Sequence, residues 1–299
     1  MSRHFLDVDD LTRAELETVL ERAAAVKERP TDFDLPGRPT LGMIFQKPST
    51  RTRVSFETGM TQLGGHAIFL GADDIQLGRG EPLKDTARTL SRYVDCIMAR
   101  VFKHENVSVL AEYASVPVVN GLTDDAHPCQ TLADLQTIRE HVGHLEDVEA
   151  AWVGDGNNVA QSFALGCALA NVDLTIATPE AYAVDDAILA RAADLGTTPT
   201  LTDDPVEAVE GADVVYTDVW VSMGQEDERD TRLERFEGYQ LNESLLEHAP
   251  GAVVLHCLPA HRGEEITDTV IESDRAAVFD QAENRLHAQK ALLHWLLAE

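Results

Sequence analysis

Residues 40–53 read TLGMIFQKPSTRTR, an apolar run followed by a Lys-Pro turn and a cluster of hydroxyls and arginines. The run is short and has no polar alternation, as expected of a strand covered on both faces of a parallel sheet. From Ser49 to about Leu63 the pattern becomes helical, so the stretch predicts a strand, a tight loop and a helix N-terminus carrying Ser49, Thr50, Arg51, Thr52 and Arg53. The first N–H groups of a helix have no intrahelical partner and sit at the positive end of its dipole, which suits them to anions. Two arginines there are unfavourable without an anion to offset them. Guanidinium forks and hydroxyls are the donors a phosphate takes, so the stretch predicts a phosphate site.

The same unit recurs along the chain. An amphipathic helix over about 9–27 precedes the first strand. After it come HAIFLG (66–71), a polar glycine-containing loop, a helix near 82–93, CIMARV (96–101), a helix near 105–115, VPVVNG (116–121) and a helix over about 128–142. The second half restarts with AAWVGDG (150–156) and continues with VDLTIATP, TPTLTDD, ADVVYTDV, GAVVLHCLP and AAVFDQ as strand regions, with helical patterns between them and a last helix over about 283–297. Alternating apolar strands and helices predict an α/β fold of two domains, each a parallel sheet flanked by helices. The boundaries are set at 1–142 and 143–282, with 283–299 forming a closing helix. Ligands of such sheets bind beyond the carboxyl ends of the strands. Six of those ends carry unusual residues, which predicts an active site in the interdomain cleft.

Composition narrows the function. The 299 residues hold 52 Asp and Glu against 24 Lys and Arg, a net charge of −28, and only five of the cations are lysines. Such a surplus repels nucleic acid phosphates unless the cations are concentrated in one place. No apolar run reaches the roughly 18 residues of a membrane span, and the charged start MSRHFLDVDDLTRAELE has no signal-peptide core. A cytoplasmic protein without nucleic acid or membrane partners is expected. A thin acidic, lysine-poor coat suits a salt-loaded cytoplasm, because the Debye length falls to about 3 Å at 1 M salt and self-repulsion is screened. Cys96, Cys129, Cys167 and Cys257 are far apart with no CxxC pair, as in a reduced compartment.

Four further motifs follow strands. His127-Pro128-Cys129-Gln130 heads a helix, with Pro128 suited to the first turn; two metal-ligand types with no second pair nearby make a poor metal site. Gly154-Asp155-Gly156-Asn157-Asn158 resembles the start of a dinucleotide fingerprint, with Glu180 able to pose as the ribose acid, but Val159 replaces the third small residue, which leaves a weak match. In DVWVSMGQE (218–226), Asp218 can hold a cationic amine or simply cap a helix, and Ser222 with the glycine suits a mobile loop. His256-Cys257-Leu258-Pro259 ends an apolar strand. Neighbours on a strand point to opposite faces, so His256 is badly placed to activate Cys257, which reads as inert or substrate-contacting.

Together STRTR, HPCQ, DVWVSMGQE and HCLP resemble the aspartate/ornithine carbamoyltransferase family over the whole chain, from Ser49 to Arg285. The first two are shared across that family; the last two resemble its ornithine-using branch. The resemblance implies two α/β domains, the first joined in space by the last helix. It implies transfer of the carbamoyl group of carbamoyl phosphate to the side-chain amine of ornithine, giving citrulline and phosphate without cofactor, metal or nucleotide. Ser49, Thr50, Arg51, Thr52 and Arg53 would grip the phosphate; Arg100 and His127, with Thr52, would bind the carbonyl oxygen. Gln130 and the backbone at Cys257 and Leu258 would hold the amide nitrogen, with Pro128, Cys129 and Arg285 completing the pocket. Gln76, in DDIQLG, matches a position supplied by a neighbouring subunit, which implies a homotrimer or an assembly of trimers. Asn158, Asp218, Ser222 and Met223 would bind the amino-acid end of ornithine, with Cys257 and Asp218 near the reacting amine. A sibling using putrescine or an acylated ornithine, a nucleotide-dependent dehydrogenase and a non-catalytic binding protein remain alternatives.

Overall fold

Four strands form the first sheet: β1 (Thr40–Phe45), β2 (His66–Gly71), β3 (Cys96–Arg100) and β4 (Val118–Leu122), all parallel in the order β2-β1-β3-β4. The computed structural model describes residues 2–72, 74–76 and 80–298. β3 is buried along its whole length and β1 over most of it, which is why both read as unbroken apolar runs, whereas the edge strand β2 is partly exposed. Helices α1 (Arg13–Glu28), α2 (Thr50–Gln62), α3 (Leu83–Leu90) and α4 (His104–Tyr113) flank the sheet. Thr12 and Glu15 close a reciprocal capping box on α1. Ile44, Ile97, Ala99, Val107 and Leu110 belong to one buried cluster.

The second sheet comprises β5 (Glu149–Val153), β6 (Asp173–Ala177), β7 (Thr200–Thr202), β8 (Val214–Thr217) and β9 (Val253–His256), parallel in the order β7-β6-β5-β8-β9. With it go α6 (Asn158–Ala170), α7 (Asp186–Leu195), α8 (Pro205–Val209), α9 (Arg229–Arg235) and α10 (Asp268–Ile271). Trp152 and Tyr216 meet edge-to-face at 4.7 Å, and Phe163 packs on Tyr216 at 5.1 Å. The chain separates into two compact units, one running to Ala133 and resuming at Glu283, the other Asp134–Ala282. The divisions fall inside α5 (Pro128–Val142) and α11 (Val278–Ala298). The α/β class and the two parallel sheets are those expected from the sequence. No helix among the described residues is long and apolar enough to cross a membrane.

One expected strand is absent. AAVFDQ forms only an isolated bridge, Ala276 to Val254, before α11 begins at Val278. Val278 and Gln281 are buried while Phe279 between them is exposed, which is the spacing of a helix rather than a strand.

Strand order decides where a ligand can sit. In each sheet the winding direction reverses once, between β1 and β3 in the first and between β5 and β8 in the second. The crevice beyond the carboxyl ends of such a pair is where open α/β sheets bind ligands. Phe45 at the end of β1 is in register with Arg100 at the end of β3, so the loop leading to STRTR lies beside Arg100. Ala151 and Trp152 pair with Val215 and Tyr216, so the GDGNN turn lies beside Asp218, and Thr217 pairs with His256, which brings HCLP to the same edge.

Candidate active site

In the first unit, Ser49 caps α2 by accepting the Thr52 N–H at 3.1 Å, which leaves the hydroxyls and N–H groups around Thr50 and Arg51 at the helix N-terminus. Thr52 is buried, and its Oγ1 lies 3.5 Å from Arg100 Nη1 and 3.4 Å from Arg285 Nη2. Arg285 also donates to Gln130 Oε1 at 2.7 Å and to Gln289 Oε1, whose own amide donates to Ser55 Oγ. His127, Gln130, Arg100 and Arg285 are all buried. One buried polar centre therefore gathers residues from α2, β3, α5 and α11.

Its electrostatics are unusual for a protein of this charge. Burial, and then the nearby guanidiniums of Arg285, Arg100 and Arg51, hold His127 well below the ordinary imidazole range. The imidazole is neutral at physiological pH and offers one N–H as a donor. Cys129 is buried with Sγ 3.4 Å from the Asn120 carbonyl, and burial pushes its thiol up to about 12. Such a thiol is no nucleophile. Pro128 occupies the first helical position of α5.

Two expected residues stand outside this centre. Arg53 is exposed, donates to Glu57 at 2.9 Å and stacks 3.8 Å above the Phe69 ring. The next-turn carboxylate and the edge-strand aromatic capture it, so the structure does not gather it with Arg51. Gln76 is exposed; of the DDIQLG stretch, Asp73, Leu77 and Gly78 lie outside the described residues. Lys47, which sequence reasoning passed over, is buried, pairs with Asp124 and lies 4.8 Å from the Phe102 ring. Its place in the strand-to-helix loop was the only available signal.

In the second unit, Asp218 follows β8 and is buried. Cys257 Sγ donates to its Oδ1 at 3.1 Å and Asn157 Nδ2 to its Oδ2 at 2.9 Å. Asn158, the residue expected from the sequence, is the first residue of α6 and partly exposed. Asp155 forms a buried ion pair with Arg232 at 2.9 Å, and the same guanidinium nitrogen donates to the Trp220 carbonyl. Arg232 so ties the base of the SMG loop to the glycine turn. Despite that cation, burial raises the Asp155 carboxyl to about 6, assisted by nearby Asp218 and Glu228. Beyond it, Ser222 N–H donates to Gln225 Oε1, and Met223 is exposed.

Gly156 is set by close packing. A Cβ there would meet the Tyr182 carbonyl oxygen and the Val184 nitrogen at 2.6 Å, both backbone atoms. Gly156→Ala is expected to destabilise the second unit by about 1–3 kcal/mol, in the range of core overpacking. A denaturant midpoint equal to wild type would contradict this.

His256 is committed elsewhere than to Cys257. Its Nδ1 accepts the Leu258 N–H at 2.9 Å, so the ring proton sits on Nε2, 3.0 Å from Glu265 Oε1. This holds Leu258 in a left-handed conformation, φ +59°, that a leucine rarely adopts. Asp218, His256 and Cys257 bring ligand-type atoms within 4.8 Å of one another, as do His261, Glu264 and Glu265. Both His256 nitrogens are already bonded, and both Glu264 oxygens bind Arg229, so neither trio presents three open metal ligands.

Comparison with known proteins matches this division of labour. Residues 3–140 fit the aspartate/ornithine carbamoyltransferase carbamoyl-P binding domain, and residues 146–296 fit the Asp/Orn binding domain of the same family. The chain is 63% identical to an ornithine carbamoyltransferase of Haloquadratum walsbyi, covering 100% of this chain and 99% of that one. It is 52% identical to one of Archaeoglobus fulgidus, with 99% and 98% covered. The solved ornithine carbamoyltransferase of Pyrococcus furiosus superposes with a TM-score of 0.92 at 51% identity, covering 99% of this chain and 97% of that one. With both domain models matched in order and relatives aligned end to end, the chain belongs to the aspartate/ornithine carbamoyltransferase family.

Proposed function

We propose that this protein is an ornithine carbamoyltransferase, forming citrulline and phosphate from carbamoyl phosphate and L-ornithine. The observation that carries the reading is the buried centre in which Arg100 and Arg285 converge on Thr52 with a buried, neutral His127, and Arg51 lies near enough to add its charge. Three gathered guanidiniums in a −28 protein suit a small phosphorylated anion, and an uncharged imidazole donor suits a carbonyl oxygen.

Carbamoyl phosphate places its phosphate on the α2 N-terminus, with Ser49, Thr50, Arg51 and Thr52 as donors. Arg53, bound to Glu57, acts on it only through long-range charge. The carbonyl oxygen faces Arg100, His127 and Thr52. The amide nitrogen is a donor and requires acceptors, which the carbonyls of Cys257 and Leu258 and the Gln130 side chain provide, with Arg285 fixing Gln130. Pro128 and Cys129 contribute the helix N-terminal backbone. Asn158, Ser222 and Met223 take the amino-acid end of ornithine, and Asp218 and Cys257 its side-chain amine.

The neutral amine attacks the carbamoyl carbon, forming the C–N bond as negative charge grows on the carbonyl oxygen. Preorganised donors stabilise that charge, usually the largest catalytic contribution. The C–O bond to phosphate then breaks, and the departing phosphate, held by Arg51, accepts the proton lost by the amine. The assembly is a homotrimer, or an assembly of trimers, in which Gln76 of one subunit reaches a neighbour's carbamoyl phosphate. Four cysteines outside any disulfide suit a cytoplasmic setting.

Citrulline formation from carbamoyl phosphate, with ornithine, putrescine, acetylornithine and aspartate in parallel and KCl from dilute to multimolar, tests the reading. Ornithine-dependent citrulline is expected, together with a melting temperature that rises with salt as self-repulsion is screened. Turnover with another amine alone would overturn the acceptor assignment, and a salt-independent melting temperature would overturn the surface reading.

A further inference from the structure

Asn157 is the N-cap of α6, and both ends of its amide are in use. Oδ1 accepts the N–H groups of Val159 at 2.9 Å and Ala160 at 3.1 Å, while Nδ2 donates to Asp218 Oδ2 at 2.9 Å. Only one orientation of the amide satisfies this, because backbone N–H groups need an acceptor and a carboxylate needs a donor. The resemblance to the family pointed to Asn158, and a capping role alone would account for an Asn at 157. The second bond is what capping leaves unexplained.

We propose that Asn157 is a positioning residue for Asp218, fixing the carboxylate rotamer against Cys257 and leaving its negative charge whole for the substrate amine. The proposal rests on assigning Asp218 to that amine. Asn157 holds one oxygen and the Cys257 thiol the other, and both donors are neutral. The nearby cation, Arg232, is committed to Asp155 and to the Trp220 carbonyl. A cationic partner would hold Asp218 as firmly but cancel the charge that ornithine's amine requires. The charged and titratable groups around Asp218 are Asp155 on the β5–α6 turn, Arg232 on α9 with Glu228 just before it, Tyr216 on β8, and His256 and Cys257 at the end of β9.

Asn157→Asp separates the two roles. Aspartate caps a helix as well as asparagine does, so a purely structural residue would tolerate it. It also places a second carboxylate against Asp218 and removes the donor, which raises the pKa of the pair. By linkage that repulsion is expected to lower the melting temperature of Asn157→Asp by a few degrees at neutral pH and less as the pH falls, whereas the uncharged Asn157→Ser should keep the wild-type value. The KM for ornithine should rise about 10- to 100-fold, the loss of one charge-assisted hydrogen bond, with the KM for carbamoyl phosphate unchanged. The acid limb of kcat/KM for ornithine should move up by about one pH unit.

A readout independent of turnover comes from Cys257, the one partly exposed cysteine of the four. Its alkylation by iodoacetamide, followed by peptide mass across pH, should shift to higher pH in Asn157→Asp because the thiolate faces added negative charge. Asn157→Ser keeps the cap and adds no charge. It should raise the ornithine KM without that alkylation shift, which covers the case in which Asn157→Asp folds poorly. Wild-type ornithine KM and alkylation profile in folded Asn157→Asp would overturn the proposal. Wild-type enzyme that makes no citrulline from ornithine would overturn the functional reading instead, and the alkylation profile would still decide the positioning.

Discussion

Arg100→Met is expected to lower kcat by about 10²- to 10³-fold, the cost of losing one preorganised donor to a developing oxyanion. In phosphate-free buffer the same variant should melt at or above the wild-type temperature. Both expectations have one cause. Arg51, Arg100 and Arg285 lie close enough to His127 to depress its pKa together, so like charges are gathered with Arg100 and Arg285 both buried. Until an anion arrives they repel one another, and methionine removes one of them while keeping much of the volume. Saturating phosphate stabilises a protein that binds it by about 2.7 kcal/mol at a hundredfold excess over Kd, and the variant should lose most of that gain. Kinetics and thermal melts with and without phosphate decide the matter. Wild-type kcat, or a large fall in melting temperature without phosphate, would refute this account of Arg100.

Much of this centre is legible in the sequence because parallel strands must end in loops and the loops must carry the chemistry. TLGMIF announces a buried strand, and Ser49 after it announces a helix cap; arginines just inside that helix N-terminus, where the dipole disfavours cations, announce an anion site. Strand order was not legible. Nothing local says that β1 lies beside β3 or β5 beside β8, yet those neighbours create the two crevices. α11 was partly hidden for another reason. Between Val278 and Ala288 the residues it buries are Gln281, Asn284, Arg285 and His287, followed by Gln289 and Lys290, so apolar periodicity does not mark its first turns. Those side chains are buried because they bond to specific partners: Lys290 to Gln62, Arg285 to Gln130, Gln289 to Ser55. The same limit applies to Arg53 and Asn157. Which of two nearby arginines turns to Glu57, and which of two adjacent asparagines reaches Asp218, depends on rotamers, which residue order does not record.

Asp218→Asn should produce the second large loss, confined to ornithine. Removing a buried carboxylate that accepts a hydrogen bond from the amine costs about 1.5–3 kcal/mol, so kcat/KM for ornithine should fall at least about tenfold. The hydrogen bonds around the carboxylate make the substitution worse than its shape suggests. Asp218 accepts from Cys257 Sγ on one oxygen and from Asn157 Nδ2 on the other. An asparagine has one oxygen and one NH₂ group, so whichever way its amide turns, an N–H donor faces another donor. The side chain must then rotate away or leave a buried donor unsatisfied, at about 1–3 kcal/mol. The KM for carbamoyl phosphate should stay at its wild-type value, because the donors assigned to its phosphate and carbonyl oxygen, Arg51, Arg100, His127 and Arg285, belong to the other compact unit. Steady-state kinetics with each substrate varied in turn make the comparison. Equal losses for both substrates would show that Asp218 supports the enzyme as a whole rather than the amine it is assigned to hold.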